Sequence, residues 1–190
     1  KKLALASRNT VIMGVAALAI IIVIAVIIAY LVVRRSSALN HAIDSMAMLP
    51  YIMPGAVIGI ALVIAYGKRP FALTGTMLIM IMSFAIRRMP YTIRSATATL
   101  MQIPLSIEEA AISLGASKVR TFVKITIPMM SNGILSGAIL SWVAIVTELS
   151  SSVSLYSNRT TTLTMQAYVY IGRGEYGTAA AFAAILTVIT

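Results

Sequence analysis

"VIMGVAALAIIIVIAVIIAYLVV", Val11–Val33, runs for 23 residues without a charge and stops at Arg34-Arg35. A hydrocarbon core about 30 Å thick is crossed by about 20 apolar residues in helical form. This stretch therefore reads as a membrane-spanning helix, and the rest of the chain agrees with it. The protein has 190 residues, 59% of them hydrophobic and 11% charged, with a mean hydropathy of +0.95. A soluble domain carries about 25% charged residues. The fold class expected is all-α, a polytopic membrane helical bundle.

Working outward, Ser45–Tyr66, "SMAMLPYIMPGAVIGIALVIAY", reads as a second span. It contains Pro50, Pro54, Gly55 and Gly59. A proline inside a helix deletes a backbone bond and kinks the chain. In a bilayer that is tolerated only where neighbours or a cavity satisfy the freed carbonyl. Gly55 and Gly59 form a small-xxx-small pair suited to close helix approach. The stretch is either a kinked packing helix or a helix beside a pathway. Phe71–Ile86 reads as a third span closed by Arg87-Arg88, Ile134–Tyr156 as a fourth, and Thr178–Thr190 as the opening of a fifth. A short polar loop is expected at Ser36–Asp44, a connection at Ser157–Gly177, and a long polar insert at residues 89–133. The chain lacks an initiating Met and stops inside an apolar run, so it is expected to be part of a longer polypeptide.

The net charge of +10 would suggest nucleic acid in a soluble protein. Here the basic residues lie between apolar runs, where they orient spans and meet anionic headgroups. Alternating spans put Arg34, Arg35, Arg87, Arg88, Arg94, Lys118, Arg120 and Lys124 on one side, and Lys1, Lys2, Arg8, Lys68, Arg69, Arg159 and Arg173 on the other. Eight against seven favours a cytoplasmic insert by the positive-inside rule. Without Cys there is no disulfide or thiolate site, and the single His41 sits in a polar loop. Asp44, Glu108, Glu109, Glu148 and Glu175 are scattered. No nucleophilic triad, paired catalytic carboxylates or metal-ligand spacing is visible.

The insert holds "SIEEAAISLGASKVRTFVKITIP", Ser106–Pro128. Ser106 and Glu109 have capping-box spacing, and Pro104 blocks continuation from upstream. Ile107, Ala110, Ala111 and Leu114 share one helical face, and Gly115 is placed to end the helix in a left-handed conformation. Two turns are too few for an isolated helix, so the segment must dock on something. Ser117 caps a second helix, with Val119, Phe122 and Val123 facing one way. The segment reads as helix, corner, helix at the membrane surface. On this evidence it is either an interfacial loop or a docking element.

The pattern resembles the "EAA" loop of permease subunits of bacterial ABC importers. That loop reads Glu-Ala-Ala, three residues, Gly, nine residues, Ile, one residue, Leu-Pro. Here it is Glu109-Ala110-Ala111, Gly115, Ile125 and Ile127-Pro128, with Ile127 for Leu the only change. The entry "LPYIMPG", Leu49–Gly55, resembles the family's Pro-rich start, and three spans precede the loop and two follow. The stretch from Thr147 to Ala181 resembles the C-terminal half of ferric-iron permeases, in which two halves are often fused. The resemblance implies one permease core domain over residues 1–190, with about five spans, in the bacterial cytoplasmic (inner) membrane. It implies that Glu109, Ala110, Ala111, Gly115, Ile125 and Pro128 couple to an ATP-binding cassette ATPase. Further implied partners are a second permease half, an extracytoplasmic solute-binding protein and membrane lipid, with no nucleic acid. No cofactor is expected on this chain. ATP and Mg would be bound by the partner ATPase, since no phosphate-binding Gly-rich loop occurs here. Ferric iron is the substrate the resemblance favours, beside polyamines, thiamine, phosphonates and oxyanions.

Glu148 is the only acid within an expected span, beside Thr147, Ser150, Ser151 and Ser152. An intramembrane carboxylate is costly and rarely faces lipid. It is either a packing contact or a pathway residue, and with Pro54, Gly55, Gly59 and Ser151 it forms the candidate pathway set. In Thr160–Gly172, Met165, Tyr168 and Val169 share a face, and a helix at the outer surface is expected. A membrane-embedded lipid-modifying enzyme would need a convergent polar set at one depth, and a passive channel would need no cytoplasmic handle. The absence of native Cys allows a direct topology test. A Ser117→Cys variant is expected to react only with reagents that reach the cytoplasm, and a Ser157→Cys variant from outside. The opposite labelling pattern overturns the orientation.

Overall fold

The computed structural model describes residues 2–35 and 37–190. Lys1, counted above among the outer charges, and Ser36, first residue of the expected polar loop, lie outside the described residues. The chain is all-α, with no strand among the described residues. In order the helices are α1 (Lys2–Arg34), α2 (Ala38–Ile52), α3 (Gly55–Tyr66), α4 (Met77–Met101), α5 (Leu105–Ser113) and α6 (Lys118–Thr121). A π-helical turn at Phe122–Thr126 leads to α7 (Ile127–Met129), α8 (Ser131–Val146), α9 (Ser152–Leu155), α10 (Leu163–Gly172) and α11 (Tyr176–Ile189). Among the described residues α1 alone is long and apolar enough to cross a membrane as one helix. The broken pair α2 and α3, and the pair Lys118–Met129 and α8, raise this to three if each counts as one span.

Several expected boundaries move, each for a local reason. The second stretch breaks at Pro54, whose extended φ/ψ of −56° and 136° place it before α3 as N-cap. Proline supplies no N–H, and its ring clashes with the carbonyl four residues back. Pro50 remains inside α2, and α2 starts early enough that Asp44 is helical rather than loop. There Asp44 pairs with Arg94 at 3.1 Å. Residues 71–76 are not helical, so the third expected span becomes α4, which starts at Met77 and continues through Arg87, Arg88 and Pro90 to Met101. The arginines do not end it because they find a buried carboxylate. The polar insert accordingly begins after Met101. Arg87, Arg88 and Arg94 all lie inside α4, and Lys2 and Arg8 inside α1, so they are not loop charges and the eight-to-seven count no longer decides the insert side. The fourth expected span is shorter than its stretch, α8 closing at Val146, and Glu148 lies in the turn before α9.

The residues form two compact units. One comprises Ile21–Leu49 and Met89–Ser141. Its core is Ala29, Ala96, Leu100, Ile103 and Met130, bordered by Tyr30, Val33, Ile107 and Ile134. Here α8 lies very close to α4, because Gly133 and Gly137 face Thr92, Ser95 and Thr99. Ser95 donates to the Gly133 carbonyl at 2.7 Å, and Thr92 and Ser141 share a 2.8 Å hydrogen bond. Lys118–Met129 meets α8 at 64°.

The other unit comprises Lys1–Ile20, Pro50–Arg88 and Trp142–Thr190. Helices α10 and α11 pack on the start of α1 through Ala6, Leu163 and Phe182, with Tyr170 stacked on Phe182 at 5.4 Å. Asn9 is fully buried and donates to the carbonyls of Arg159 and Thr161 at 2.8 and 3.0 Å. The Thr10 hydroxyl accepts the Leu163 N–H at 3.0 Å. These contacts pin the connection before α10 to α1, satisfying backbone groups that could not be left bare in an apolar setting. Thr162 caps α10 by accepting from the Met165 N–H at 3.2 Å. The expected shared face divides, with Met165 in the core and Tyr168 exposed. Trp142 sits against Gly14 and donates to the Ile189 carbonyl at 3.0 Å.

A Cβ at Gly137 would lie 2.7 Å from the Thr92 backbone, whereas one at Gly177 would meet nothing within 4 Å. Overpacking a close interface costs about 1–3 kcal/mol. Gly137→Ala is therefore expected to lower the thermal midpoint of the purified protein by several degrees, and Gly177→Ala to leave it unchanged. Equal midpoints for the two variants would disprove the close α4–α8 approach.

Candidate functional site

The polar insert and the Glu148 region each form an organised site within one unit. In the insert, α5 opens at Pro104, which is N-cap with extended φ/ψ and provides no side-chain cap. The expected capping box is therefore absent: Ser106 is already helical, and the Ile107 N–H bonds the Pro104 carbonyl at 3.3 Å. The first-turn acid that matters structurally is Glu108. It is only 5% exposed, and Arg34 Nε donates to its Oε1 at 2.8 Å. The Tyr30 hydroxyl donates to Oε2 at 3.3 Å. Arg34 Nη2 also donates to the Ile103 carbonyl at 2.8 Å. One guanidinium thus joins the last turn of α1, the end of the connection after α4 and the first turn of α5. Helix dipoles favour this arrangement, with the acid at a helix N-terminus and the cation at a C-terminus. Ile107 packs on the core from the same turn.

The other end of α5 is closed as expected. Gly115 has φ +92°. The Ala116 N–H reaches the Ala111 carbonyl at 3.0 Å and the Gly115 N–H reaches the Ile112 carbonyl at 2.9 Å. That pair of bonds is a Schellman motif, and it requires the left-handed residue. Ser117 caps α6 by accepting from the Arg120 N–H at 3.3 Å. Phe122 turns inward to meet the Tyr30 ring edge-on at 4.6 Å. Val119 and Val123, expected beside Phe122, are exposed instead, because the chain passes into a π-helical turn at Phe122.

Glu109, Ala110 and Gly115 are exposed and Ala111 is half-buried. Leu114 beside them is 90% exposed, and Leu105, Ile112 and Val119 are exposed as well. Ile125 is half-buried in the π turn and Pro128 is exposed at the start of α7. The site is a short helix fixed on one side by a buried ion pair and open on the other, with small and apolar residues outward.

The second site gathers the candidate pathway residues. Glu148 is 2% exposed, and Arg87 Nη1 donates to its Oε1 at 2.5 Å. Arg88 Nη2 donates to its Oε2. The same Oε1 accepts the Ser151 N–H at 3.1 Å and the Ser151 hydroxyl at 3.4 Å. Gly55, first residue of α3, lies where any Cβ would strike Arg87 Nη1 and Ser150. A Cβ at Gly59 would lie 3.0 Å from Ser154 Cβ and 3.1 Å from the Ser151 carbonyl. The small-xxx-small pair thus seats α3 on α9, and Pro54, Gly55, Gly59, Glu148 and Ser151 converge. Sequence reasoning missed Arg87 and Arg88 by reading them as a span end, and missed Tyr30, Arg34 and Glu108. The available signal was complementarity, since a buried acid needs a cation and the candidate cations were in view. Gly133 and Gly137 repeat the spacing that flagged Gly55 and Gly59. Among the described residues no group of three His, Cys, Asp or Glu could hold a metal ion.

Residues 21–190 match the family described as "Binding-protein-dependent transport system inner membrane component". The ferric transport system permease protein FbpB of Actinobacillus pleuropneumoniae is 33% identical over 181 residues, covering 95% of this chain and 26% of that protein. The chain thus spans about a quarter of that relative's length. The molybdenum transport system permease protein ModB of Haemophilus influenzae is 28% identical over 187 residues, covering 88% of this chain and 81% of that protein. In fold, the chain is similar to a chain in the crystal structure of a bacterial alginate ABC transporter in complex with alginate pentasaccharide-bound periplasmic protein. The TM-score is 0.76 at 16% identity, over 98% of this chain and 75% of that one. With the helix order, the open α5 face and these matches together, the chain belongs to the family of binding-protein-dependent transport system inner membrane components.

Proposed function

We propose that this chain is part of the permease subunit of an ATP-driven importer in a bacterial cytoplasmic membrane, carrying iron in a ferric form. It forms half of the substrate pathway and is moved by a separate ATP-binding cassette ATPase that holds ATP and Mg. A second permease half and an extracytoplasmic solute-binding protein complete the machine. The chain itself performs no hydrolysis.

The observation that carries this reading is the construction of α5. Its outward face, with Glu109, Ala110, Leu114 and Gly115, is free to enter a groove. Small side chains let a helix backbone sit close to a partner. Its inner face is bolted to α1 through Glu108 and Arg34. Force applied to α5 is therefore delivered to the end of a membrane-crossing helix rather than lost in a loop. Ferric iron is favoured by the likeness to the ferric permease. The likeness to the molybdenum permease keeps an oxyanion as the second reading.

The full-length subunit, affinity-purified from mild detergent, is expected to bring down an ATPase subunit. Gly115→Val is expected to preserve membrane abundance, because a Cβ there meets nothing within 4 Å. It opposes the left-handed corner, at a cost of about 1–2 kcal/mol or more for a β-branched residue. Uptake and ATPase recovery are therefore expected to fall at least tenfold. Glu108→Ala leaves the Arg34 guanidinium buried and unpaired and is expected to uncouple: ATPase recovered, uptake lost. Normal uptake by both variants would reject α5 as the coupling element.

A further inference from the structure

We propose that the second half of α1 and the stretch from Lys118 to α8 hold one anionic phospholipid, its acyl chain in an apolar groove and its phosphate in a polar cavity beside α5. The inference goes beyond the importer reading. It needs only a chain that lies in a membrane, as its family membership states.

The first observation is the groove. It measures about 550 Å³ and is lined by Val23, Val26 and Ile27 of α1 with Phe122, Ile127 and Leu135. Ser131 is the sole polar residue of the lining among the described residues. Val23, Ile27 and Leu135 are exposed, so the groove opens outward. Helices that pack closely in a bilayer put small residues at the contact. The glycines of α8, Gly133 and Gly137, are turned to α4 instead, and in the groove Ala138 is the one small apolar residue. A surface of branched and aromatic side chains suits a flexible hydrocarbon chain better than a second helix.

The second observation is the cavity, and it is independent of the groove. It measures about 150 Å³, and Arg34, Arg35, Glu108, Glu109, Lys118 and Thr121 are in its lining. Sites for whole small molecules measure about 300–1,000 Å³, so this cavity admits one small polar group. Arg34 is paired with Glu108 at 2.8 Å. Arg35 and Lys118 form no ion pair among the described residues. Three cations against two carboxylates leave a net positive lining, which the single negative charge of a phosphodiester balances. Thr121 is 2% exposed, and its hydroxyl has no hydrogen-bond partner among the described residues. A buried donor is costly to leave unpaired, and a phosphate oxygen would accept from it.

The third observation is how the two adjoin. Val23, Ile27, Tyr30 and Arg34 fall on one stripe of α1 at helical spacing, the first two in the groove and the last two in the cavity. On the other wall Thr121 lines the cavity, and Phe122, next in sequence, lines the groove. Tyr30 and Phe122 meet edge-on at this junction, 4.6 Å apart. Apolar surface thus passes into a basic, hydroxyl-bearing pocket within about one helical turn, the order of groups in a phospholipid. Basic pockets between membrane helices suit anionic headgroups. A zwitterionic lipid would bring its own cation beside Arg35 and Lys118. A free phosphate would leave the groove unfilled, and a docked helix would leave the Thr121 hydroxyl unpaired.

The test uses the full-length subunit purified in detergent with the subunits that accompany it, stripped of lipid. It is titrated with phosphatidylglycerol or with phosphatidylcholine of the same acyl chains, and bound lipid is counted by native mass spectrometry. Phosphatidylglycerol is expected to be retained over phosphatidylcholine by at least about fivefold, the factor one basic residue supplies near an anionic surface. Arg35→Gln combined with Lys118→Gln is expected to bring the ratio close to one. Lys68→Gln, in the connection after α3, is expected to leave it unchanged. A phosphatidylglycerol with a photoreactive group in its acyl chain is expected to label residues 22–27 or 122–138. Equal retention of the two lipids, or an unchanged ratio in the double variant, would overturn the proposal. So would labelling confined to other residues, the result expected if a protein helix covers the groove. Displacement of the lipid by inorganic phosphate at equal concentration would assign the cavity to a free anion and overturn it as well. The wild-type ratio and the labelling need no variant, so they decide even if the double variant fails to assemble. Absence of an ATPase from the purified material would reject the importer reading and leave these results unaffected.

Discussion

A carboxylate taken out of water must meet a cation, and that constraint organises both sites in this protein. The effective penalty for burying an unpaired ion is several kcal/mol. Glu108 meets it with Arg34, 74 residues earlier in the chain. Glu148 meets it with Arg87 and Arg88. Each pair joins a helix to a turn or short helix that has too little apolar surface to hold its own place. Removing one partner would leave the other charge buried, so the positions of α5 and of the turn before α9 depend on these contacts.

Small residues supply the complementary constraint. In an apolar solvent, helices gain little from hiding hydrocarbon, and close packing with hydrogen bonds holds them together. Gly133 and Gly137 bring α8 against the Thr and Ser face of α4, and Gly55 and Gly59 bring α3 against α9. The hydroxyl groups on the facing helices then bond across, as Ser95 does to Gly133 and Thr92 to Ser141. Helix α5 combines such an inward contact with an exposed outer face. Helix α5 is fixed inward by Glu108 and Ile107, while Leu114, Ala110 and Gly115 point away from the chain.

Much of the α5 site was legible beforehand because its determinants are local. Gly115 ends the helix whatever surrounds it, since only a residue without Cβ tolerates φ +92° easily, and Ser117 caps the next turn through a bond to a residue three positions on. The capping box was misread for an equally physical reason. Pro104 already supplies the extended residue at the N-cap, so Ser106 falls inside the helix. The span boundaries were less legible. Arg87 and Arg88 look like a helix end when solvent is the only imaginable partner, and Pro54 looks like a kink when the neighbours of α3 are unknown.

The sequence by itself determined that this is an apolar all-α chain, where α1 crosses, where Gly115 turns, and which loop carries the family pattern. The first three rest on composition, helical period and backbone sterics, which act over a few residues, and the last on a resemblance of local motif spacing. Only the tertiary structure decided that Glu108 rather than Glu109 is the anchor, that α4 continues through two arginines, and that Pro54, Gly55, Gly59 and Ser151 gather around Glu148. Those outcomes depend on which charge meets which across 60 or more residues of sequence, and an ion pair has no periodicity for a sequence to display.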